Sequence, residues 1–321
     1  MPIYSVSDNS TLSGFLVKNT TIECPSSLLS LASLTEPKPF AFVRAIGAAT
    51  LQTAMDASRA NLVTPILVGE QDIITADAEA IGWDLGGVEI ISSRGEDEAI
   101  MAAVALFAEG RIAGLAKGQI HTDVFMSGIV KRSSGIRTEK RLVHVFLMIP
   151  PGEGKPLLIS DAAVNVAPDI KTRVEAALHI AELSRKLGCS HPRIAVLSAT
   201  ESILPAMPSS AEAAEIASLA AIADTKAEFM GPLSFDLAVA PKAAQIKGVS
   251  GSVVGMADGL VVPDIVSGNI LFKSLVWFSG GLAAGLVLGG AIPIVLTSRS
   301  DPSAARLASI ALAAVVAKNT L

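Results

Sequence analysis

The sequence predicts an α/β protein in which helices cover a largely parallel sheet. Short apolar runs alternate with amphipathic stretches along the chain, which is the pattern of β-α-β units. Residues 40–44 and 65–68, for example, flank a helical stretch at residues 51–60. Hydrophobic residues make up 50% of the 321 residues and charged residues 17%, which indicates a globular chain with a large core.

The same pattern continues through the rest of the chain. Further strands are predicted at residues 112–115, 143–149, 157–159, 194–197, 237–240, 260–262 and 294–296. Residues 172–187 place apolar side chains on one face and stop before Gly188, which is typical of a helix end. Ser209 and Glu212 have the spacing of a capping box, so a helix is predicted to start there.

The chain is predicted to form two α/β domains. The stretch with most turn-forming residues is 150–154, where two prolines and two glycines follow a strand. A second crossing is predicted near residues 289–293, which returns the last helix to the first half. Residues 1–149 and 290–321 then form the first domain, and residues 150–289 form a second domain inserted in it.

One uncharged segment, residues 275–296, is long enough to span a bilayer. Two glycine pairs and Pro293 interrupt it, and no polybasic flank orients it. We therefore predict a helix end, a turn and a core strand rather than a membrane span.

Composition and missing motifs exclude several classes of function. The net charge of -5 argues against a general nucleic-acid-binding surface. Cys24 and Cys189 lack metal-ligand spacing, and the printed sequence does not begin like a secretory signal, so a cytoplasmic protein is expected. The sequence contains neither a P-loop nor a G-x-G-x-x-G, G-x-S-x-G or H-E-x-x-H motif, and its histidines form no metal-ligand set.

The strongest candidate site follows the last predicted strand. That strand stops at Ser298 and Arg299, and a helix start follows at Asp301 and Pro302. A hydroxyl and a guanidinium would thus lie at the carboxyl end of a strand, beside the N–H groups of a helix N-terminus, where an anion is favoured. Asp301 has two possible roles, as a helix N-cap before proline or as a general base.

Polar clusters at other strand ends and turns could converge on the same crevice, because a parallel sheet binds ligands at its carboxyl edge. Most of them also have a structural interpretation, as a helix cap or as a hydrogen-bonding group between domains. The candidates for substrate binding are Lys117, His121, Thr122, Arg137, Asp161, Asn165, Ser267, Gly268 and Asn269.

Taken together, these clusters resemble a known family. The motifs are K-G-x-x-H-T from Lys117, the turn Gly-Ile-Arg-Thr, S-D-A-A-V-N-V-A-P-D from Ser160, V-P-D-I-x-x-G-N-x-x-x-K-S-L from Val262 and P-I-V-L-T-S-R-x-D from Pro293. In this order, from about residue 115 to residue 310, they are similar to the phosphate acetyltransferase and phosphate butyryltransferase family.

The resemblance implies reversible transfer of a short acyl group between coenzyme A and inorganic phosphate, through a ternary complex and without an acyl-enzyme. Acetyl-CoA is the first expected substrate and butyryl-CoA follows closely. The family's fold has two α/β domains and a deep cleft, like that of the isocitrate and isopropylmalate dehydrogenases, and is usually a homodimer. Coenzyme A takes part as a substrate or product, and neither a metal nor another cofactor is expected.

The resemblance also suggests roles for individual residues. Arg299 would bind phosphate, Ser298 would donate a hydrogen bond to the carbonyl oxygen or the thiolate, and Arg137 would be a second anion-binding group. The aspartate that acts as base in the acetyl branch is replaced by Ala305, and a cysteine of many acetyl enzymes is replaced by Ala162. These differences leave open a non-catalytic acyl-CoA-binding protein. A nicotinamide-dependent hydroxy-acid dehydrogenase on the same fold is the other alternative.

Overall fold

The computed structural model describes residues 22–34, 36–152, 154–298 and 301–317. In these ranges one sheet contains eleven strands, in the order β3-β2-β1-β4-β11-β10-β5-β6-β9-β7-β8. The strands are β1 (Lys38–Val43), β2 (Val63–Gly69), β3 (Glu89–Ser92), β4 (Gly114–Lys117), β5 (Val143–Ile149), β6 (Leu157–Ser160), β7 (Arg193–Leu197), β8 (Glu228–Leu233), β9 (Gly259–Val261), β10 (Leu282–Leu288) and β11 (Ile294–Val295).

Helices connect these strands and cover both faces of the sheet. They are α1 (Ser26–Ala32), α2 (Ala48–Arg59), α3 (Gln71–Ala80), α4 (Gly95–Ala108), α5 (Thr122–Val130), α6 (Ile170–Lys186), α7 (Pro208–Ala223), α8 (Phe235–Val239), α9 (Pro241–Lys247), α10 (Ile265–Trp277) and α11 (Ser303–Ala317). A short 3₁₀ helix spans Arg132–Ser134.

The strands are mostly parallel. The exceptions are at the centre, where β10 is antiparallel to both β11 and β5, and β5 is antiparallel to β6. Burial on both faces explains the continuous apolar runs in the sequence, because alternate side chains of a strand point to opposite faces. In β1, Phe40 and Phe42 join the core under α2, α6 and α11, whereas Ala41 and Val43 join the core under α4 and α5.

Most predicted elements are confirmed, but two local predictions are wrong. Residues 237–240 lie mainly in α8, not in a strand, and the strand of this region is β8, just before it. Short apolar runs do not distinguish a buried strand from a helix turn, and Pro232 inside β8 hid its strand character. Helix α7 begins at Pro208, so Ser209 lies inside the helix and pairs with the Ser198 hydroxyl at 3.0 Å instead of capping it.

The uncharged segment at residues 275–296 consists of the end of α10, a turn, β10 and the start of β11, as predicted. Among the described residues, no helix is both long enough and apolar enough to cross a bilayer. The predicted seam at residue 150 lies between β5 and β6, which are neighbours in the common sheet. The division into two domains and the likeness to isocitrate dehydrogenase stay predictions.

Candidate active site

A large cleft opens where two central strands separate. β10 and β11 pair through Val287 and Ile294. Beyond that pair, the Gly285 N–H donates a hydrogen bond to the Ser309 hydroxyl of α11 at 3.0 Å. This N–H is therefore not used for strand pairing between β10 and β11. Residues that follow Ile294 and residues that precede Gly285 both border a cavity of about 1210 Å³. The cleft therefore lies at the carboxyl end of β11, as the sequence predicts for the ligand site.

Two groups of elements form the walls of this cleft. One wall comes from the ends of β4 and β11 and the start of α11, with Lys117, His121, Thr122, Ser298 and Asp301. The other group comes from β5, the loop after β6, α10 and β10, with His144, Phe146, Ala162, Asn269, Phe272 and Lys273. Six of the residues predicted from the sequence are thus brought to one cavity. Arg299 lies outside the described residues, although its neighbour Ser298 borders the cleft.

Ser298 and Asp301 are joined by two hydrogen bonds just before α11. The Ser298 N–H donates to the Asp301 carboxylate at 2.7 Å, and the Asp301 N–H donates to the Ser298 carbonyl at 3.2 Å. Burial raises the pKa of Asp301, while the Ser298 N–H, Arg306 and Lys273 act in the opposite direction. Because this carboxylate accepts from Ser298, which precedes α11, the simple N-cap interpretation does not account for its position.

Lys273 is a cleft residue that the sequence analysis did not select. It lies on α10 four residues after Asn269, so the two side chains share one face of the helix. Its ammonium group is 5.9 Å from the centre of the Phe272 ring, and its charge partly opposes the rise that burial causes in the pKa of Asp301. The signal was present, because the family-like block from Val262 contains this lysine.

His121 is fixed at the edge of the cleft by an acidic partner from α4. Its Nδ1 is 2.8 Å from a Glu96 oxygen, and its backbone N–H donates to the other oxygen of the same carboxylate at 3.1 Å. Glu96 also pairs with Arg44, which in turn pairs with Glu70. His121 precedes α5, but its ring is held by Glu96 and is 70% exposed. Sequence reasoning missed Arg44 and Glu96 because their partners are distant in the chain.

Asp161 and Asn165 hold the loop after β6. The buried Asp161 carboxylate accepts hydrogen bonds from backbone N–H groups at residues 144, 163, 164 and 165, and from the Asn165 amide at 2.7 Å. The Asn165 amide also donates to the Leu142 carbonyl at 2.8 Å. Neither side chain borders the cleft in the described part of the chain. Their contacts favour the structural interpretation, in which they present Ala162 and Ala163 to the cavity.

The three candidates at the start of α10, Ser267, Gly268 and Asn269, have different contacts. Asp264 is the N-cap and accepts from both the N–H and the hydroxyl of Ser267, so this serine completes the helix cap. Gly268 lies against the Asp161 carbonyl. Asn269 donates to the Ala162 carbonyl at 3.3 Å and borders the cleft. Of the three, only Asn269 faces the cavity.

Replacement of Gly268 by alanine is expected to destabilise the fold. A Cβ at this position would lie 2.5 Å from the Asp161 backbone oxygen, which cannot move without disturbing the loop. We expect a loss of about 1–3 kcal/mol in the free energy of unfolding, measured by urea denaturation. Without the clash, alanine would gain about 0.5–1 kcal/mol in a helix, so a Gly268→Ala protein as stable as the wild type would contradict this packing. Ser274→Ala on the same helix is the control.

Arg137 lies apart from the other candidates. It is exposed, and its backbone forms an isolated bridge with Gly290, next to the bond from the Thr138 hydroxyl to the Gly289 carbonyl at 2.6 Å. It does not border the cleft in the described residues. Its role as a second anion-binding group stays a prediction from the resemblance.

Comparison with known proteins identifies the family. Residues 93–314 match the family model described as phosphate acetyl/butaryl transferase. The chain is 42% identical over 269 residues to a phosphate acetyltransferase from Rhizobium meliloti, covering 84% of this chain and 85% of that protein. It is 33% identical over 270 residues to a phosphate butyryltransferase from Clostridium acetobutylicum, covering 84% of this chain and 90% of that protein.

Comparison with solved structures supports the same family assignment. The fold matches a branched-chain phosphotransacylase from Enterococcus faecalis V583 with a TM-score of 0.78 and 31% identity, covering 88% of this chain and 99% of that one. The family model covers every described cleft residue except Ile22, from Lys117 at the end of β4 to Ala305 in α11. The chain belongs to the phosphate acetyltransferase and phosphate butyryltransferase family.

Proposed function

We propose that this chain is a phosphate acyltransferase, which transfers a short acyl group reversibly between coenzyme A and inorganic phosphate. The observation that carries the proposal is the meeting of Ser298, Asp301 and Lys273 in one cleft at the carboxyl end of β11. Family membership supports the reaction class, and the cleft supplies groups suited to it.

The reaction joins a phosphate oxygen to the thioester carbonyl carbon and breaks the bond from that carbon to sulfur. Phosphate is an anion, and the attacked carbonyl oxygen gains negative charge, so cations and hydrogen-bond donors must hold both. Lys117 and Lys273 border the cleft, and Arg299 follows Ser298 in the sequence. We propose that these cations bind phosphate and that Ser298 donates to the carbonyl oxygen or to the departing thiolate.

Asp301 is proposed as the proton acceptor in the reverse direction, where the thiol of coenzyme A must lose its proton. Burial raises the pKa of Asp301, which makes its carboxylate a stronger base than an exposed aspartate. The position that is an acid in the acetyl branch is Ala305, which borders the same cleft. Asp301 therefore borders the same cleft as position 305, where the acetyl branch has its aspartate and this chain has alanine.

Size and lining of the cleft suit an acyl-CoA. Its volume of about 1210 Å³ exceeds the roughly 300–1000 Å³ of most small-molecule sites. The α10 wall adds apolar surface from Val266, Ile270 and Trp277 for the extended thioester arm. Acetyl-CoA is proposed as the first substrate, with butyryl-CoA close behind. A homodimer and a reaction without metal or added cofactor are proposals that rest on the resemblance, and action in the cytoplasm is a proposal that rests on the cysteine usage.

The test is phosphate-dependent release of thiol. Protein is mixed with acetyl-, butyryl- or valeryl-CoA, with and without phosphate, and free thiol is followed with a chromogenic reagent. Release that requires phosphate supports the transferase, and Ser298→Ala should reduce it. Release without phosphate would indicate simple thioester hydrolysis. No release with any short acyl-CoA would favour the non-catalytic acyl-CoA-binding alternative.

A further inference from the structure

A buried histidine lies at the bottom of the cleft. His144 of β5 pairs with Val287 of β10, which pairs with Ile294 of β11, so all three lie in one row across the sheet. This is the row in which β10 and β11 last pair before they separate. His144 borders the cavity, yet its side chain is 0% exposed to solvent. His144 is thus a buried residue of the cavity lining, in the same row as the pair that joins β10 and β11.

The surroundings of this imidazole are apolar. Its ring is 4.3 Å from the ring of Phe146, which stacks on Phe272 of α10 at 4.1 Å. On the β10 side it lies over Gly285, where a Cβ would come within 2.8 Å of the imidazole carbon Cε1. Its backbone N–H donates to Asp161, whose carboxylate is the nearby charged group.

Neither ring nitrogen of His144 has a hydrogen-bond partner among the described residues. Burial lowers the pKa of His144 to about 4, against a smaller opposite effect of Asp161, so the ring is neutral at pH 7. A neutral imidazole has one N–H donor and one acceptor. Leaving such groups buried and unpaired is unfavourable, and a phenylalanine would fill the same apolar space without that cost. A ligand at the bottom of the cleft would explain why a polar ring is kept there.

We propose that His144 is a substrate-binding residue, which donates its ring N–H to the carbonyl oxygen of the acyl group. This carbonyl occurs in both the acyl-CoA and the acyl phosphate, so the contact serves both directions. The apolar neighbours Phe146 and Phe272 suit the acyl chain, and a neutral donor suits an oxygen that gains charge only during the reaction. The proposal rests on the phosphate acyltransferase activity proposed above.

The decisive variant is His144→Phe, which removes the donor but keeps an aromatic ring. If the histidine only fills space, this variant should keep its activity and be as stable as the wild type or more so. If it binds the acyl carbonyl, kcat/KM for acetyl-CoA should fall about tenfold to a hundredfold, with the melting temperature maintained. His144→Gln, which retains an N–H donor, should lose less activity than His144→Phe. A His144→Phe enzyme within twofold of the wild type would overturn the proposal.

Ser184→Ala is the matched control. Ser184 of α6 is also buried, and its hydroxyl likewise lacks a partner among the described residues, but it does not border the cleft. Removing it should leave kcat/KM unchanged. Phosphate-dependent thiol release by the wild type, measured in the same assay, tests the proposed function by itself. A fully active wild type with an equally active His144→Phe would therefore reject only the role of His144.

A second measurement does not depend on folding of the His144 variants. The chain contains four histidines, so the ¹⁵N signals of the His144 ring can be assigned by replacing the other three singly. Addition of acetyl phosphate and coenzyme A to the wild type should shift these signals, whereas coenzyme A alone should shift them less. Signals that do not move with acetyl phosphate present would contradict contact with the acyl group.

Discussion

Asp301→Asn is expected to lower kcat by about a hundredfold to ten-thousandfold in the direction that consumes free coenzyme A. The amide cannot accept the thiol proton, although its oxygen can still accept the hydrogen bond that the Ser298 N–H donates at 2.7 Å. The free energy of unfolding should therefore stay within about 0.5 kcal/mol of the wild-type value. The two measurements together separate a general base from a residue that only shapes the turn.

The control for this variant is Asp72→Asn. Asp72 is an exposed acid in the first turn of α3, so its replacement tests the general effect of losing a helix-start carboxylate. That variant should keep full activity. An Asp301→Asn enzyme with wild-type kcat would show that Asp301 has only the structural role.

The pH dependence provides an independent check on Asp301. A general base works only when it is ionised, so the rate should fall as the pH drops through the pKa of Asp301. Burial raises that pKa above the ordinary aspartate value, and the acidic limb of the rate profile should lie correspondingly higher. The limb should be missing from the residual activity of Asp301→Asn.

Arg299→Ala is expected to lower kcat/KM by about a hundredfold to a thousandfold, with KM for phosphate raised. The guanidinium is expected to hold the phosphate anion next to Ser298, which borders the cleft. Arg299→Lys should restore little, because an ammonium group lacks the planar pair of donors that binds two oxygens. Steady-state rates with varied phosphate and fixed acetyl-CoA measure both effects.

Arg59→Ala is the control for Arg299→Ala. Arg59 is exposed in the last turn of α2, so this variant makes the same change of charge outside the cleft. Its kinetics should match those of the wild type. If Arg299→Ala remained within about twofold of wild-type kcat/KM, the role of Arg299 in holding the anion would be wrong.

Much of the sheet could be read from local sequence. Residues 143–149 were predicted as a strand and coincide with β5, because a run of apolar side chains at that length is typical of a strand covered on both faces. The failure at residues 237–240 has the same origin, since an apolar run as short as α8 fits either element. The neighbouring strand β8 contains Pro232, which argues against a strand in sequence reasoning.

The residues predicted for the site fall into two groups, those that border the cleft and those that hold other residues in place. Ser298, Asp301, Lys117 and His121 were predicted because each follows a strand, and the cleft brings them together. Asp161, Ser267 and Gly268 occur in equally family-like motifs but have structural contacts. Asp161 holds the loop after β6, Ser267 completes the cap of α10, and Gly268 packs against a backbone oxygen. A motif identifies residues that matter without saying whether they contact a ligand or hold another residue in place.

The sequence by itself determined the α/β class, the order of most elements and the family, because these depend on local periodicity and on motifs in a fixed order. Only the tertiary structure decided that β10 and β11 separate after one pair and that Lys273 lies close enough to Asp301 to affect its pKa. It also placed at the cleft a buried imidazole, that of His144, which has no hydrogen-bond partner among the described residues. These features join residues far apart in the chain, and their energies depend on burial and distance, which arise only when the elements pack together.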